Sequence, residues 1–100
     1  MKNITHWING VPTEGSPPAR LGEIFDPAAG EVAGQVHLAS VAEVDAAVAA
    51  AVAAWPAWRD TSLTRRARVL FRFRELMYAH RDELARLISE EHGKVHSDAL

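Results

Sequence analysis

The sequence predicts a mixed α/β arrangement, with N-terminal β-hairpins followed by two or three α-helices. Three observations predict it. Asn9-Gly10 and Asp26-Pro27-Ala28-Ala29-Gly30 are turn sequences set between short apolar or alternating segments. Ser40-Val41-Ala42-Glu43 opens an alanine-rich stretch in the manner of a helix capping box. Residues 61–94 then carry apolar side chains at gaps of three, four and seven, the spacing of a helix with one core-facing stripe.

The hairpins are expected over about residues 5–38. In the first, residues 5–13, Asn9 and Gly10 both tolerate the positive φ of a two-residue turn. Trp7, Ile8 and Val11 supply its apolar contacts. Residues 14–22 read as a loop, with two glycines, a serine and Pro17-Pro18. The second hairpin pairs residues 23–25 with 31–38. In its turn Asp26 can bond the backbone ahead, Pro27 fixes φ and Gly30 can close in the left-handed region. On the return strand Val32, Val36 and Leu38 alternate with Glu31, Gln35 and His37, so one face is expected buried and the other wet.

The helices are expected over about residues 40–92. The first begins at Ser40 and presents Val41, Val44, Val48, Val52 and Trp55 as its stripe, with Pro56 marking its end. Thr61 or Ser62 caps the next, which runs to about Ala79 before a break near His80. Asp82 and Glu83 are first-turn acids of a further helix reaching Glu91, and Gly93 stops it. Over both helices the core-facing positions are Leu63, Ala67, Leu70, Phe71, Met77, Leu84, Leu87 and Ile88. Residues 95–100 begin one more helix.

Composition narrows the function. One hundred residues form one domain or part of one. A 48% hydrophobic content supplies a core, with modest burial at this size. A net charge of −2 speaks against a general nucleic-acid binder. There is no cysteine, hence no disulfide and no thiolate nucleophile within these residues. The first ten residues lack the apolar run of a signal peptide. The longest apolar run, 46–58, contains Pro56 and is too short to cross a bilayer. The expectation is a soluble, cytoplasmic chain without membrane or nucleic-acid partners.

No constellation of side chains declares a reaction centre. His92 and His96 have metal-ligand spacing, but Gly93 between them breaks the helix they would share. Gly93-Lys94 lacks the glycine and the Ser or Thr of a phosphate loop, since positions 88 and 95 are Ile and Val. Arg65, Arg66, Arg68, Arg72 and Arg74 read as a solvated or intersubunit salt-bridge face, offset by acids from Glu75 to Glu91. Glu90 and Glu91 point about 100° apart on a helix and are no acid/base pair. Trp55 and Trp58 are packing residues. No catalytic, cofactor-binding or metal-binding residue is assigned.

The ordered series of segments resembles the N-terminal region of the aldehyde dehydrogenase superfamily. The matching residues are Trp7-Ile8-Asn9-Gly10, Asp26 through Val32, the alanine-rich helix from Val44, Trp55 before Pro56-Ala57-Trp58-Arg59, Arg65 through Leu70, Arg81 through Ala85, and Glu91-His92-Gly93-Lys94. Within the superfamily the chain is most similar to the CoA-acylating methylmalonate-semialdehyde dehydrogenase branch. Thr61-Ser62, Arg65-Arg66, Arg68-Val69 and Phe71-Arg72-Phe73 with Glu75-Leu76 carry that likeness. Asp26 and Ala29 depart from the usual Asn-Pro-Ala-Thr-Gly turn, and His92 replaces the usual Gln or Thr.

The resemblance implies that residues 1–100 are the incomplete N-terminal part of a Rossmann-like aldehyde dehydrogenase, about five times longer. In such enzymes a cysteine thiolate attacks the aldehyde and hydride passes to NAD. In this branch CoA takes the acyl group, carbon dioxide is lost, and methylmalonate or malonate semialdehyde becomes propionyl-CoA or acetyl-CoA, the chemistry of valine catabolism. The intact enzyme is implied to be a homo-oligomer, a dimer or tetramer, and the remainder of the subunit is this chain's first partner. The chain alone is then inactive, with apolar stripes that lack a covering layer. The alternatives are a non-enzymatic interaction module using the arginine face, or a fragment of another aldehyde dehydrogenase subfamily.

Overall fold

A computed structural model describes residues 2–100. In chain order the elements are β1 (Lys2–Ile4), β2 (His6–Ile8), β3 (Val11–Thr13), β4 (Arg20–Asp26), β5 (Glu31–Leu38), α1 (Val41–Asp60), α2 (Leu63–Ala79), α3 (Arg81–His92) and α4 (His96–Ala99). The residues form two compact units. One comprises the residues up to 25 together with 32–59; the other comprises 26–31 and 60–100.

In the first unit, β2 and β3 form the expected antiparallel hairpin, with His6 opposite Thr13 and Ile8 opposite Val11. Asn9 (φ 54°) and Gly10 (φ 79°) take the positive φ values that a two-residue turn matched to strand twist requires. A three-stranded sheet has the order β1-β5-β4. Its β1 was not anticipated: it lies parallel to β5, pairing Lys2 with Gly34 and Ile4 with Val36. A Cβ on Gly34 would stand 2.7 Å from Lys2 Cβ and 2.8 Å from Lys2 O, so only glycine lets β1 come this close. β4 starts at Arg20, earlier than the predicted strand, and the Arg20 side chain donates to Ala39 O at 3.0 Å.

Helix α1 opens with the predicted capping box. Glu43 N donates to Ser40 Oγ at 3.2 Å, and Ser40 N donates to Glu43 Oε1 at 3.3 Å. Its end differs from the expectation, for the helix continues through Pro56 to Asp60. A proline removes one amide donor and strains one turn. The alanine-rich sequence on its N-terminal side carries the helix across, and Arg59 suits the negative end of the dipole. At 20 residues, α1 is long and apolar enough to cross a bilayer by length and composition, longer than the apolar run within it.

In the second unit, Asp26 Oδ1 accepts from Ala28 N (2.8 Å) and Ala29 N (3.4 Å), and Gly30 N donates to Asp26 O at 2.7 Å. This is the turn the sequence specifies. Ser62 caps α2 through a 3.2 Å bond from Arg65 N. The helix breaks at His80, and α3 runs to His92, one residue past the expected end. Gly93 (φ 78°) closes it, its amide donating to Ser89 O at 3.0 Å. Pro27 of the turn packs on this cap, with its Cγ 3.3 Å from where a Gly93 Cβ would lie.

The core differs from the expected one. Ala85, outside the predicted stripe, is the one buried hydrophobic side chain among the described residues. Val41, Val44, Val48, Val52 and Trp55 on α1 are exposed, as are Leu63, Leu70, Phe71, Met77, Leu84 and Ile88 on α2 and α3. The supposed inner face of β5 is open at Val32 and Leu38. Each stripe is continuous along its element, and most of its larger side chains are exposed among the described residues.

Candidate functional site

The most built-up group of polar side chains lies in the first unit, where β1, β2, β5, the loop after β3 and the start of α1 meet. Alternation along β5 puts His37 on the face opposite Gly34 and Val36. Its Nδ1 accepts a hydrogen bond from Gly15 N at 3.0 Å. The other ring nitrogen must therefore carry the hydrogen, and Nε2 lies 3.2 Å from Asn3 Oδ1 on β1. His6 of β2 meets the His37 ring edge-on, with centroids 6.1 Å apart. His6 Nε2 lies 2.6 Å from Glu43 Oε2, both side chains about seven-eighths buried, at 14% and 13% exposure.

Glu43 thus serves two purposes. One oxygen takes the Ser40 amide of the capping box and the Ser16 amide at 3.4 Å, and the other faces His6. Hydrogen bonding with the Ser40 hydroxyl is the largest cause holding its carboxyl below the usual carboxylate range. Partial burial works the other way; the Ser40 amide, His6 and the Ser16 amide add to the lowering. Gly15 belongs to the same arrangement, since a Cβ there would lie 3.0 Å from His37 Nδ1 and 3.7 Å from Glu43 Oε2. The cluster joins two imidazoles and one carboxylate. It has no nucleophile, and among the described residues no group of three or more His, Asp or Glu is placed to hold a metal.

Sequence reasoning saw the parts of this cluster but not their meeting. Glu43 was legible as a capping acid and His37 as a polar strand position; nothing local pointed to His6. The signal that could have joined them is the parallel β1–β5 pairing, which brings Asn3 beside His37.

The candidates weighed from sequence lie elsewhere. His92 ends α3 and His96 begins α4 beyond the left-handed Gly93, and His96 Nε2 faces Asp82 Oδ1 at 3.9 Å. Arg72 pairs with Glu75 at 3.1 Å, Arg74 lies over the Tyr78 ring at 5.6 Å, and Arg86 pairs with Glu90. Two of the five arginines of that face, Arg72 and Arg74, thus engage side chains of their own helix. Trp55 and Trp58 are exposed. An open groove of about 360 Å³ in the second unit is lined by Phe73, Arg74, Met77, Tyr78, Arg81 and Leu100. It holds no acid, base or nucleophile set for catalysis.

The sequence profile of the aldehyde dehydrogenase family matches residues 14–100. The chain belongs to that family. Among its relatives, malonate-semialdehyde dehydrogenase 3 of Geobacillus kaustophilus is 54% identical over 74 residues, covering 74% of this chain and 15% of that protein. Malonate-semialdehyde dehydrogenase of Pseudomonas aeruginosa is 40% identical over 99 residues, covering 99% of this chain and 20% of the relative. Two solved structures are similar along the chain. A Sinorhizobium meliloti protein described as a methylmalonate-semialdehyde dehydrogenase, complexed with NAD, superimposes with a TM-score of 0.94 at 45% identity. The methylmalonate-semialdehyde dehydrogenase of Oceanimonas doudoroffii gives 0.93 at 47%. Each comparison covers 99% of this chain and 20% of the other. The aldehyde dehydrogenase fold expected from sequence is therefore the fold observed, and this family member spans about a fifth of those relatives.

Proposed function

We propose that residues 1–100 are the N-terminal part of an NAD-dependent, CoA-acylating dehydrogenase of malonate or methylmalonate semialdehyde, and that they serve it as scaffold. The observation that carries this reading is the agreement of 99% of the chain, at 45% identity, with a protein complexed with NAD. The residues that bind NAD and CoA, and the cysteine nucleophile, lie outside these hundred, which contain no cysteine. The uncovered stripes on α1, α2 and α3 fit a role against further layers of the same subunit. A cytoplasmic homo-oligomer, dimer or tetramer, completes the reading. Glu43, Asp45, Arg59 and Asp60 on α1 suit a helix packed on protein better than one in lipid.

The test compares residues 1–100 with the polypeptide encoded by the full reading frame. Each is given malonate or methylmalonate semialdehyde with NAD, with and without CoA. The longer polypeptide is expected to reduce NAD in a CoA-dependent reaction yielding acetyl-CoA or propionyl-CoA, and residues 1–100 to give none. Turnover by the hundred residues alone, or free acids as products of the longer polypeptide, would overturn the proposal. A thermal melt adds a physical criterion: the isolated chain is expected to associate through its apolar stripes. A sharp transition from a well-behaved monomer would contradict the fragment reading.

A further inference from the structure

We propose that His37 is a proton-sensitive catch on the loop after β3, holding the Gly15 amide at neutral pH and releasing it on acidification, while Glu43 keeps Ser16 and His6. The loop is held by two side-chain acceptors. Gly15 N donates to His37 Nδ1, and Ser16 N donates to Glu43 Oε1. The neutral His37 ring is fully used, accepting at Nδ1 and donating from Nε2 to Asn3.

A further proton taken from solvent can enter His37 only at Nδ1. There it replaces the lone pair that receives the Gly15 amide, leaving donor against donor, and that bond breaks. The new cation also faces His6, 6.1 Å away ring to ring. The two imidazoles respond oppositely. A proton on His6 Nε2 lies against the Glu43 carboxylate and strengthens that pair, while a proton on His37 finds no acceptor at Gly15. Charging His6 therefore leaves β2 anchored to α1, and charging His37 releases the Gly15 amide while Ser16 stays on Glu43.

The titratable groups that meet in the cluster are His6 from β2, His37 from β5 and Glu43 from α1. Asn3 from β1 is neutral, and Lys2 alternates to the opposite side of that strand, over Gly34. Glu14, next to Gly15, is exposed.

Hydrogen exchange of the intact polypeptide carrying these residues tests the catch, with rates corrected for their intrinsic pH dependence. Within peptides spanning residues 14–17, the Gly15 amide is expected to lose protection about tenfold on acidification, the loss of one well-made hydrogen bond. His37→Asn keeps an acceptor near the Nδ1 position without titrating, so its protection is expected to be independent of pH. His6→Gln retains a donor toward Glu43 and is expected to preserve the response of residues 14–17. In the unaltered protein, the His37 ring proton signal is expected to titrate with the same midpoint as the loss of protection. Protection of residues 14–17 that does not change with pH, or that changes with a midpoint different from that of His37, would overturn the proposal whether or not the variants fold. So would an undiminished pH response in a folded His37→Asn protein.

Discussion

The two units are held by different kinds of contact. In the first, side chains reach across the sequence: His37 to Gly15, His37 to Asn3, Glu43 to Ser16 and to His6, Arg20 to Ala39. In the second, most side-chain bonds stay within one helical turn, as in Ser62 with Arg65, Arg72 with Glu75, His80 with Glu83, and Arg86 with Glu90. The difference teaches that polar geometry is settled within this chain where strands, loop and helix meet. Apolar burial is left open over both units.

Breaking the first unit at its tightest point should have the largest effect. Gly34→Ala places a methyl against Lys2 backbone and is expected to detach β1 at a cost of about 1–3 kcal/mol, read from denaturant unfolding and from faster exchange over residues 2–4. The counterpart in the second unit is Gly93→Ala. Its left-handed φ and its contact with Pro27 predict a loss of about 1–2 kcal/mol, with faster exchange at the end of α3.

The next contrast uses pH. A carboxyl held below its ordinary value of 4.5 adds stability that is fully present above that value and disappears as pH falls through the folded one. Acid titration of the unfolding free energy should therefore show Glu43's contribution fading below about pH 4.5. Ser40→Ala, by removing the largest cause of the lowering, should shift that loss to higher pH. Ser62→Ala in the second unit costs about 1 kcal/mol as a lost cap and should leave the Glu43 titration unchanged. The smallest effect is expected for Arg72→Ala, below about 0.5 kcal/mol, because its ion pair with Glu75 is largely exposed. A loss above 1 kcal/mol there, in equilibrium unfolding, would erase the proposed contrast.

The local chemistry of this chain was legible because it is written in adjacent residues. Asn9-Gly10, the Asp26 turn, Ser40 with Glu43, Ser62 and Gly93 each act within about four positions, and the structure places each as expected. What escaped depends on distant partners. β1 has three residues and no pattern, and gains its identity from Gly34. The continuation past Pro56 shows alanine helix propensity outweighing a single breaker. The stripes were found by their period, but period alone says which face is apolar, not whether this chain supplies what lies against it. The polar cluster was hidden for the same reason: the pairs that join its strands, loop and helix span 22 to 37 positions, as Gly15–His37 and His6–Glu43 illustrate.

The parallel pairing of β1 carries a consequence for assembly. Its contact with β5 closes a circuit of thirty-two positions, from Lys2 to Gly34. The β4–β5 hairpin can zip from its own five-residue turn, whereas β1 has no local guide and must find a socket already made. The N-terminal strand is accordingly expected to be the last stitch in this part of the chain, with the bare backbone of one glycine as its eyelet, and pulse-labelled exchange over residues 2–4 checks that order.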